Sequence, residues 1–255
     1  MKKRTDILGV EFDSVTKKET EAILTEAVEK KERMKIFTPN PEMLLTAHSD
    51  EGLRALLCSA ELVLPDGIGV IIASRILGTP LPERVSGIDT AEFILSLANK
   101  KALRVFLLGA RKGVAKKAAE RIAERYPNAV VCGTHHGYFD KSGEENDIVV
   151  ENIKNAAPDI LLVCFGFPAQ ERWIAENLPN LPTVLLCAGF GGTLDVWSGE
   201  LRRAPKIFQR LGIEWLWRVL KEPKRAKIFW DIPIFLAKIL KTKRGSKPQR
   251  KQKDY

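Results

Sequence analysis

The chain has 255 residues, 45% of them hydrophobic and 29% charged, which is typical of one large globular domain and excludes a largely disordered protein. Its formal charge of +9 is unevenly spread: residues 201–255 hold 17 Lys and Arg against 4 Asp and Glu, a net of +13, whereas residues 1–200 carry −4. This distribution excludes a uniformly basic nucleic-acid coat and predicts an acidic partner for the C-terminal part alone.

Strand-like and helix-like segments alternate almost to residue 200. The apolar runs typical of strands are, in chain order, DILGVEF, MKIFTPN, AELVLPDG, RVFLLGA, NAVVCGTHHGYF, DILLVCFG and TVLLCAG. The amphipathic stretches between them cover residues 15–31, 42–58, 68–77, 89–101, 113–125, 144–156 and 169–177. The alternation predicts an α/β fold in which a mainly parallel sheet has helices on both faces.

Beyond Gly199 the strands stop and an amphipathic helical pattern begins. We therefore predict an α/β domain over residues 1–199, an amphipathic basic helical appendage over 200–242 and a solvated basic tail over 243–255. On a helical wheel for residues 224–241, the apolar arc comprises Ile228, Phe229, Ile232, Leu236, Ile239 and Leu240. Phe235 lies outside that arc, and Pro233 is expected to kink the helix.

Cysteine usage and hydropathy bound the cellular location. Cys58, Cys132, Cys164 and Cys187 are widely spaced without a CxxC pair, which argues against a disulfide framework or a zinc site and favours a reducing compartment. The N-terminus lacks the apolar core of a signal peptide, and no run reaches the roughly 18 apolar residues of a spanning helix. A cytoplasmic protein with at most peripheral membrane contact is predicted.

Polar residues that follow strands are the candidate ligand-binding groups, because ligands bind at the carboxyl ends of parallel strands. Thr38 and Asn40 follow MKIF in a turn fixed by two prolines, where they either bind a ligand or cap the next helix. Asp66 follows LVLP, where it either faces the cleft as a base or caps a helix. Arg84 is either an anion ligand or an ordinary surface arginine.

Three further segments offer weaker signals. The turn at residues 109–113, GARKG, presents glycine amides to a phosphate at a helix N-terminus, although it matches no established phosphate-loop pattern. Gln170 begins a helix after LLVCF, where its amide is suited to orient a sugar hydroxyl or a phosphate oxygen. Three glycines at 189–192 predict either close ligand approach or tight backbone packing.

Taken together, these segments resemble the bacterial WecG/TagA/CpsF glycosyltransferases from about Thr38 to Arg225. The motifs that carry the resemblance are TPNPE, LPDGIGV, ERVSGID, HGYF, GFPAQERW, GGTLDVWSGELRRAP and RVLKEPKR. The sequence most resembles the TagA/TarA branch, which transfers N-acetylmannosamine (ManNAc) from UDP-ManNAc to C4 of GlcNAc on undecaprenyl diphosphate, the first step of the wall teichoic acid linkage unit. The resemblance implies a Rossmann-like, metal-independent fold without a cofactor, and an appendage that helps complete the site at the membrane.

The resemblance also implies a role for individual residues. Asp66 becomes the general base for the acceptor hydroxyl. The residues implied around the sugar diphosphate are Thr38, Asn40, Arg84 and Gln170. Those implied on the nucleotide side are Gly109, Tyr138 and Asp195. The appendage residues that match basic family positions are Arg218 and Arg225, whereas Lys224 and Ile228 depart from the pattern. Because the chain has no DxD-like motif to hold a metal, cations are expected to neutralise the leaving UDP.

Alternatives remain open at this level. The donor could instead be the corresponding uronic acid, UDP-N-acetylmannosaminuronic acid, which would want another cation in the sugar pocket. A protein of another class, a non-catalytic binder of anionic membranes or nucleic acid, would explain the +13 tail but not the polar strand ends.

The appendage is predicted to bind the inner face of the cell membrane, which is anionic. At rest it could pack on the body or on a second subunit, giving a homo-oligomer in solution.

Overall fold

The computed structural model describes residues 3–221 and 228–245. Its centre is a six-stranded, all-parallel sheet with the strand order β4-β3-β8-β7-β5-β6. These strands are β3 (Met34–Phe37), β4 (Leu62–Val63), β5 (Arg104–Gly109), β6 (Val130–His135), β7 (Ile160–Cys164) and β8 (Leu186–Gly189). The predicted parallel α/β fold is confirmed.

Helices cover both faces of the sheet, as the apolar strand sequences predicted. Those on one face are α2 (Pro41–His48), α3 (Glu51–Cys58), α4 (Ile68–Leu77), α7 (Glu144–Ala156) and α8 (Ala169–Asn177). Those on the other are α1 (Lys17–Lys30), α5 (Gly87–Lys101), α6 (Val114–Arg125) and α9 (Thr193–Trp197). Successive strand residues alternate between the two resulting cores: Phe106 and Leu108 face the first, Val105 and Leu107 the second.

Two predicted elements are divided in the structure. The run DILGVEF is not one strand but an antiparallel hairpin, β1 (Arg4–Ile7) and β2 (Val10–Asp13), separate from the parallel sheet. Leu8 and Gly9 both take positive φ and make the turn. The stretch 42–58 is two helices, because Asp50 caps a new helix by accepting a hydrogen bond from the Leu53 N–H. Hydrophobic spacing continues across that break, which hid it.

The C-terminal part is helical, as predicted, with α10 (Lys206–Arg210), α11 (Glu214–Lys221) and α12 (Ile228–Gly245). Helix α12 packs on α2 and α4 of the same chain. It runs through Pro233 and continues to Gly245, three residues past the boundary predicted at 242.

The face that α12 buries differs from the predicted apolar arc. Phe235, which did not fit that arc, is fully buried together with Ile239. Phe229 and Leu240, which did fit it, are 45% and 49% exposed. The predicted arc was right for Ile239 and Leu236 and wrong for Phe235, Phe229 and Leu240, because docking on α2 and α4 selects one narrow stripe from a helix that is apolar over much of its surface.

Candidate active site

The polar residues predicted from the strand ends lie along one edge of the sheet, because all six strands are parallel. Thr38 follows β3, Asp66 follows β4 and Tyr138 follows β6. The strands β5 and β7 are neighbours in the sheet. The chain leaves β5 toward β6 on one side of this pair and leaves β7 toward β8 on the other side, so the boundary between β5 and β7 is a topological switch point. In open α/β sheets a crevice at this position is the usual place for a ligand.

Asp66 lies at the centre of the first cluster, after the buried run from Leu62 to Leu64. Its backbone N–H donates to the Pro39 carbonyl, which joins it to the predicted TPNPE turn. Its Oδ2 accepts a 3.1 Å hydrogen bond from the N–H of Gly87, the first residue of α5. It does not cap α4, whose N-cap is Gly67 with no side-chain hydrogen bond, so the capping alternative is wrong.

The Asp66 side chain is 31% exposed, yet its surroundings are dense enough to perturb it. Burial raises the pKa of the Asp66 carboxyl above its usual value. The Gly87 N–H and the charges of Arg84 and Arg218 oppose that rise, while Glu214 adds to it. A carboxylate whose pKa is raised is a stronger base than an ordinary aspartate, which suits proton abstraction.

Arg84 lies beside Asp66 and is held there by residues of α10 and α11. Its Nη1 lies 3.9 Å from Asp66 Oδ1 and 3.4 Å from Glu214 Oε1. Its Nη2 donates to the Gln209 carbonyl at 3.0 Å. With only 17% of the side chain exposed, Arg84 is not the ordinary surface arginine of the alternative interpretation.

Glycines allow the parts of this cluster to approach each other. A Cβ at Gly87 would lie 3.0 Å from Thr38 Oγ1 and 3.6 Å from Asp66 Oδ2. Gly212, at φ +71°, lets the α10–α11 turn pack on Ile68, since a Cβ there would lie 3.0 Å from the Ile68 Cβ. Asn40 caps α2 through its Oδ1, which accepts from the Met43 N–H, so the capping alternative is correct for this oxygen.

Gln170 is 4% exposed and its amide is largely occupied. Its Oε1 accepts from the N–H groups of Gly166 and Gly191, at 3.2 and 2.9 Å, and so joins the loops after β7 and β8. Its Nε2 donates to the Glu171 carboxyl at 2.8 Å. Burial raises the pKa of Glu171, which favours its neutral form. One amide hydrogen of Gln170 remains for any other partner.

The residues predicted for the nucleotide side lie at the switch point or beside it. Gly109 packs directly on β7, because a Cβ there would lie 2.4 Å from the Cys164 carbonyl oxygen. Tyr138 is 74% exposed, and Asp195 lies in the first turn of α9. After Tyr138 in the chain, Lys141 lies over the rings of Phe139 and Phe165, with its Nζ 4.3 and 4.6 Å from their centroids.

Of the two appendage arginines predicted to bind diphosphate, Arg218 lies within the described part of the chain. Arg218 lies on α11, close enough for its charge to lower the pKa of Asp66. Arg225 and Lys224 lie outside the described residues. Within the described ranges no group of three or more His, Cys, Asp or Glu side chains could hold a metal. Searched over the same residues, no helix has the length and apolarity needed to cross a bilayer.

Gly87, Glu171 and Glu214 contact the predicted site residues but were not predicted from the sequence. Gly87 stands in the quoted motif ERVSGID, where a small residue directly after the N-cap Ser86 was an available signal. Glu171 stands beside Gln170, but its burial could not be foreseen in a motif rich in charge. Glu214 is 130 positions from its partner Arg84, and no sequence pattern links them.

Comparison with known proteins gives one consistent result. The profile described as "Glycosyl transferase WecG/TagA/CpsF family" matches residues 5–249. Proteins of Staphylococcus aureus strains MW2 and NCTC 8325 / PS 47 are each 39% identical over 246 residues, 96% of this chain and 95% of theirs. The protein of strain MRSA252 is 38% identical over the same length. All three are named N-acetylglucosaminyldiphosphoundecaprenol N-acetyl-beta-D-mannosaminyltransferase.

Proposed function

The chain belongs to the WecG/TagA/CpsF family of glycosyltransferases, and from this membership we propose that it transfers N-acetylmannosamine from UDP-ManNAc to the 4-hydroxyl of GlcNAc-diphosphoundecaprenol. The name of the staphylococcal relatives supports the acceptor and the transferred sugar. The observation that carries the chemistry is the contact of the Asp66 carboxylate with Arg84 and the Gly87 N–H at the carboxyl edge of the sheet. A carboxylate base beside a cation is what such a displacement requires.

In the proposed reaction Asp66 accepts the proton of the acceptor 4-hydroxyl. The oxygen of that hydroxyl attacks the anomeric carbon of the donor at the same time. The bond from that carbon to the diphosphate oxygen breaks, and UDP leaves with the electron pair. A single in-line displacement inverts the anomeric centre and needs one base only. Arg84 and Arg218 neutralise the charge that develops on UDP, and losing one such donor is expected to cost about 10²–10³ in rate.

The remaining predicted residues hold the substrate in this proposal. Thr38 and Asn40 line the sugar pocket. Asn40 does so through its Nδ2, because its Oδ1 caps α2. Gln170 contributes chiefly by fixing the two loops that it joins. Gly109, Tyr138 and Asp195 form the nucleotide side, and Arg225 is proposed as a further diphosphate ligand from its family position alone.

We also propose that residues 200–242 act as the appendage that brings the site to the inner face of the cell membrane, where the lipid carrier lies. Large apolar side chains stand exposed on α10, α11 and α12 and directly after α10, and the described ones are Ile207, Leu211, Leu220, Phe229, Trp230, Ile234 and Leu240. Exposed cations on the same helices, among them Lys206 and Lys221, would attract anionic lipids. A surface that combines the two is typical of interfacial helices.

The experiment is a transfer assay with the purified full chain and a GlcNAc-diphosphate lipid acceptor. The proposal predicts a disaccharide lipid product and released UDP from UDP-ManNAc, with the same rate in EDTA as in added Mg²⁺. UDP-N-acetylmannosaminuronic acid is the competing donor, and faster turnover of it would replace UDP-ManNAc in the proposal. No product from either donor would overturn the transferase assignment for this chain.

A further inference from the structure

A chain of alternating charges runs from the α5 N-terminus to Asp66, and most of its members lie outside the predicted site. Arg203 Nη2 donates to Asp89 at 2.6 Å, and Arg203 Nε donates to Glu214 Oε2 at 3.3 Å. The other oxygen of Glu214 lies 3.4 Å from Arg84 Nη1. One carboxylate therefore bridges two guanidinium groups, with one oxygen directed at each.

The bridging carboxylate of Glu214 lies next to the candidate base. Glu214 is 15% exposed, and it contacts the same arginine that lies against Asp66. Its negative charge adds to the rise in the pKa of Asp66. A carboxylate at this position therefore weakens the site's attraction for a diphosphate, because Arg84 and Arg203 already have an anionic partner.

The geometry of the bridge resembles the way in which a phosphoryl group is held. Two guanidinium groups that converge on separate oxygens of one anion form a charge-assisted site, which accepts phosphate as well as carboxylate. The three acidic groups Asp66, Asp89 and Glu214 balance the three cations Arg84, Arg203 and Arg218, so a diphosphate would bring uncompensated negative charge unless one carboxylate withdrew. Glu214 is the member that contacts two cations without being the base.

We propose that Arg203 and Arg84 together bind a phosphoryl group of the UDP-sugar, and that Glu214 occupies this phosphoryl position until the donor displaces it. Arg203 is then a substrate-binding residue and Glu214 a competing internal anion. This inference rests on the proposed function for the identity of the donor. The rival interpretation is that Glu214 only locks α11 onto the body, in which case its carboxylate would help the site and not compete with it.

The test is calorimetric titration of UDP into the full chain, comparing Glu214→Gln, Arg203→Gln and the double variant with the wild type. Glu214→Gln keeps the size of the side chain and removes its charge. The inference predicts that UDP binds about five- to tenfold more tightly to Glu214→Gln and about tenfold more weakly to Arg203→Gln. In the double variant most of the gain from Glu214→Gln disappears, because Arg203 is no longer there to be released.

Lys154→Gln is the matched control, since Lys154 forms an exposed ion pair with Glu151 within α7, away from the predicted site residues, and should leave UDP affinity unchanged. UDP affinity that is unchanged or weaker in Glu214→Gln, or unchanged in Arg203→Gln, would overturn the inference and leave the transferase proposal intact. If the wild type binds no UDP, the donor proposal fails and this inference fails with it. Circular dichroism of each variant establishes that the fold is retained.

Discussion

The Nη1 of Arg84 lies 3.9 Å from the Oδ1 of Asp66, so the proposed phosphate ligand and the proposed base form a loose ion pair. The contact couples two functions that are usually considered separately. Any change to the charge near Arg84 also changes the protonation of the base, because the pKa of Asp66 reflects burial together with Arg84, Arg218 and Glu214. The pH at which Asp66 gains or loses its proton is therefore expected to depend on the residues that are proposed to bind the diphosphate.

The first prediction concerns this coupling. Asp66 acts as a base only when ionised, so kcat/KM should rise with pH through its raised pKa. Arg84→Gln removes a charge that lowers the pKa, and the acidic limb should move to higher pH in addition to the loss of rate. Glu214→Gln removes a charge that raises the pKa, and the limb should move to lower pH. Shifts in the same direction, measured by transfer assays from pH 4 to 9, would contradict the coupling.

A second prediction concerns Gln170, which joins the loops after β7 and β8. Gln170→Leu leaves the N–H groups of Gly166 and Gly191 without their acceptor, at a cost of about 2 kcal/mol in the free energy of unfolding. Transfer should fall as well, because both loops lie at the candidate site. Urea denaturation measures the first effect. Glu176→Leu, on the exposed side of the same helix, is the control and should change stability by less than about 0.5 kcal/mol.

The third prediction concerns the docking of α12. Phe235 is fully buried near the start of α4, where its Cε1 would lie 3.9 Å from a Cβ at Gly69. Phe235→Ala should lower the free energy of local opening of residues 228–245 by about 3 kcal/mol. Hydrogen–deuterium exchange should then speed up in α12 and not in β5 or β7. Ile234→Ala, 49% exposed on the same helix, should leave exchange unchanged; equal effects of the two would contradict the buried stripe.

Membrane association gives the fourth prediction. The chain should sediment with vesicles containing phosphatidylglycerol and far less with phosphatidylcholine alone, and binding should weaken as salt increases. Trp230→Ser, at a side chain 74% exposed on α12, should reduce binding several-fold. Ile148→Ser, 60% exposed on α7 of the body, provides the control. Equal binding to both lipid compositions would contradict the proposal that the basic appendage docks on anionic lipids.

The parts of the structure that follow from local sequence were predictable. Alternating apolar runs indicated the parallel sheet, and the polar residues that follow the strands indicated its carboxyl edge, where the structure places Asp66 and Thr38. The predicted helix starts also lie close to the observed ones, since caps and prolines act within one turn.

Long-range docking was not predictable. The contacts of Arg84 with Gln209 and Glu214 join residues more than 120 positions apart, and they exist because Gly212 lets a turn lie flat on Ile68. Phe235 was misassigned for the same reason, since the body selects which stripe of an apolar helix is buried. The hairpin turn at Leu8 and Gly9 was hidden because Ile7 and Val10, directly on either side of it, are both apolar.

The most direct measurement compares Asp66→Asn with the wild type for both UDP binding and transfer to the lipid acceptor. Asparagine retains an oxygen that can accept from the Gly87 N–H but cannot take a proton at neutral pH. UDP affinity should stay within a few-fold of the wild type, while the transfer rate falls by about 10²–10⁴. Transfer by Asp66→Asn within tenfold of the wild type would contradict the assignment of this cleft as the active site and of Asp66 as its base.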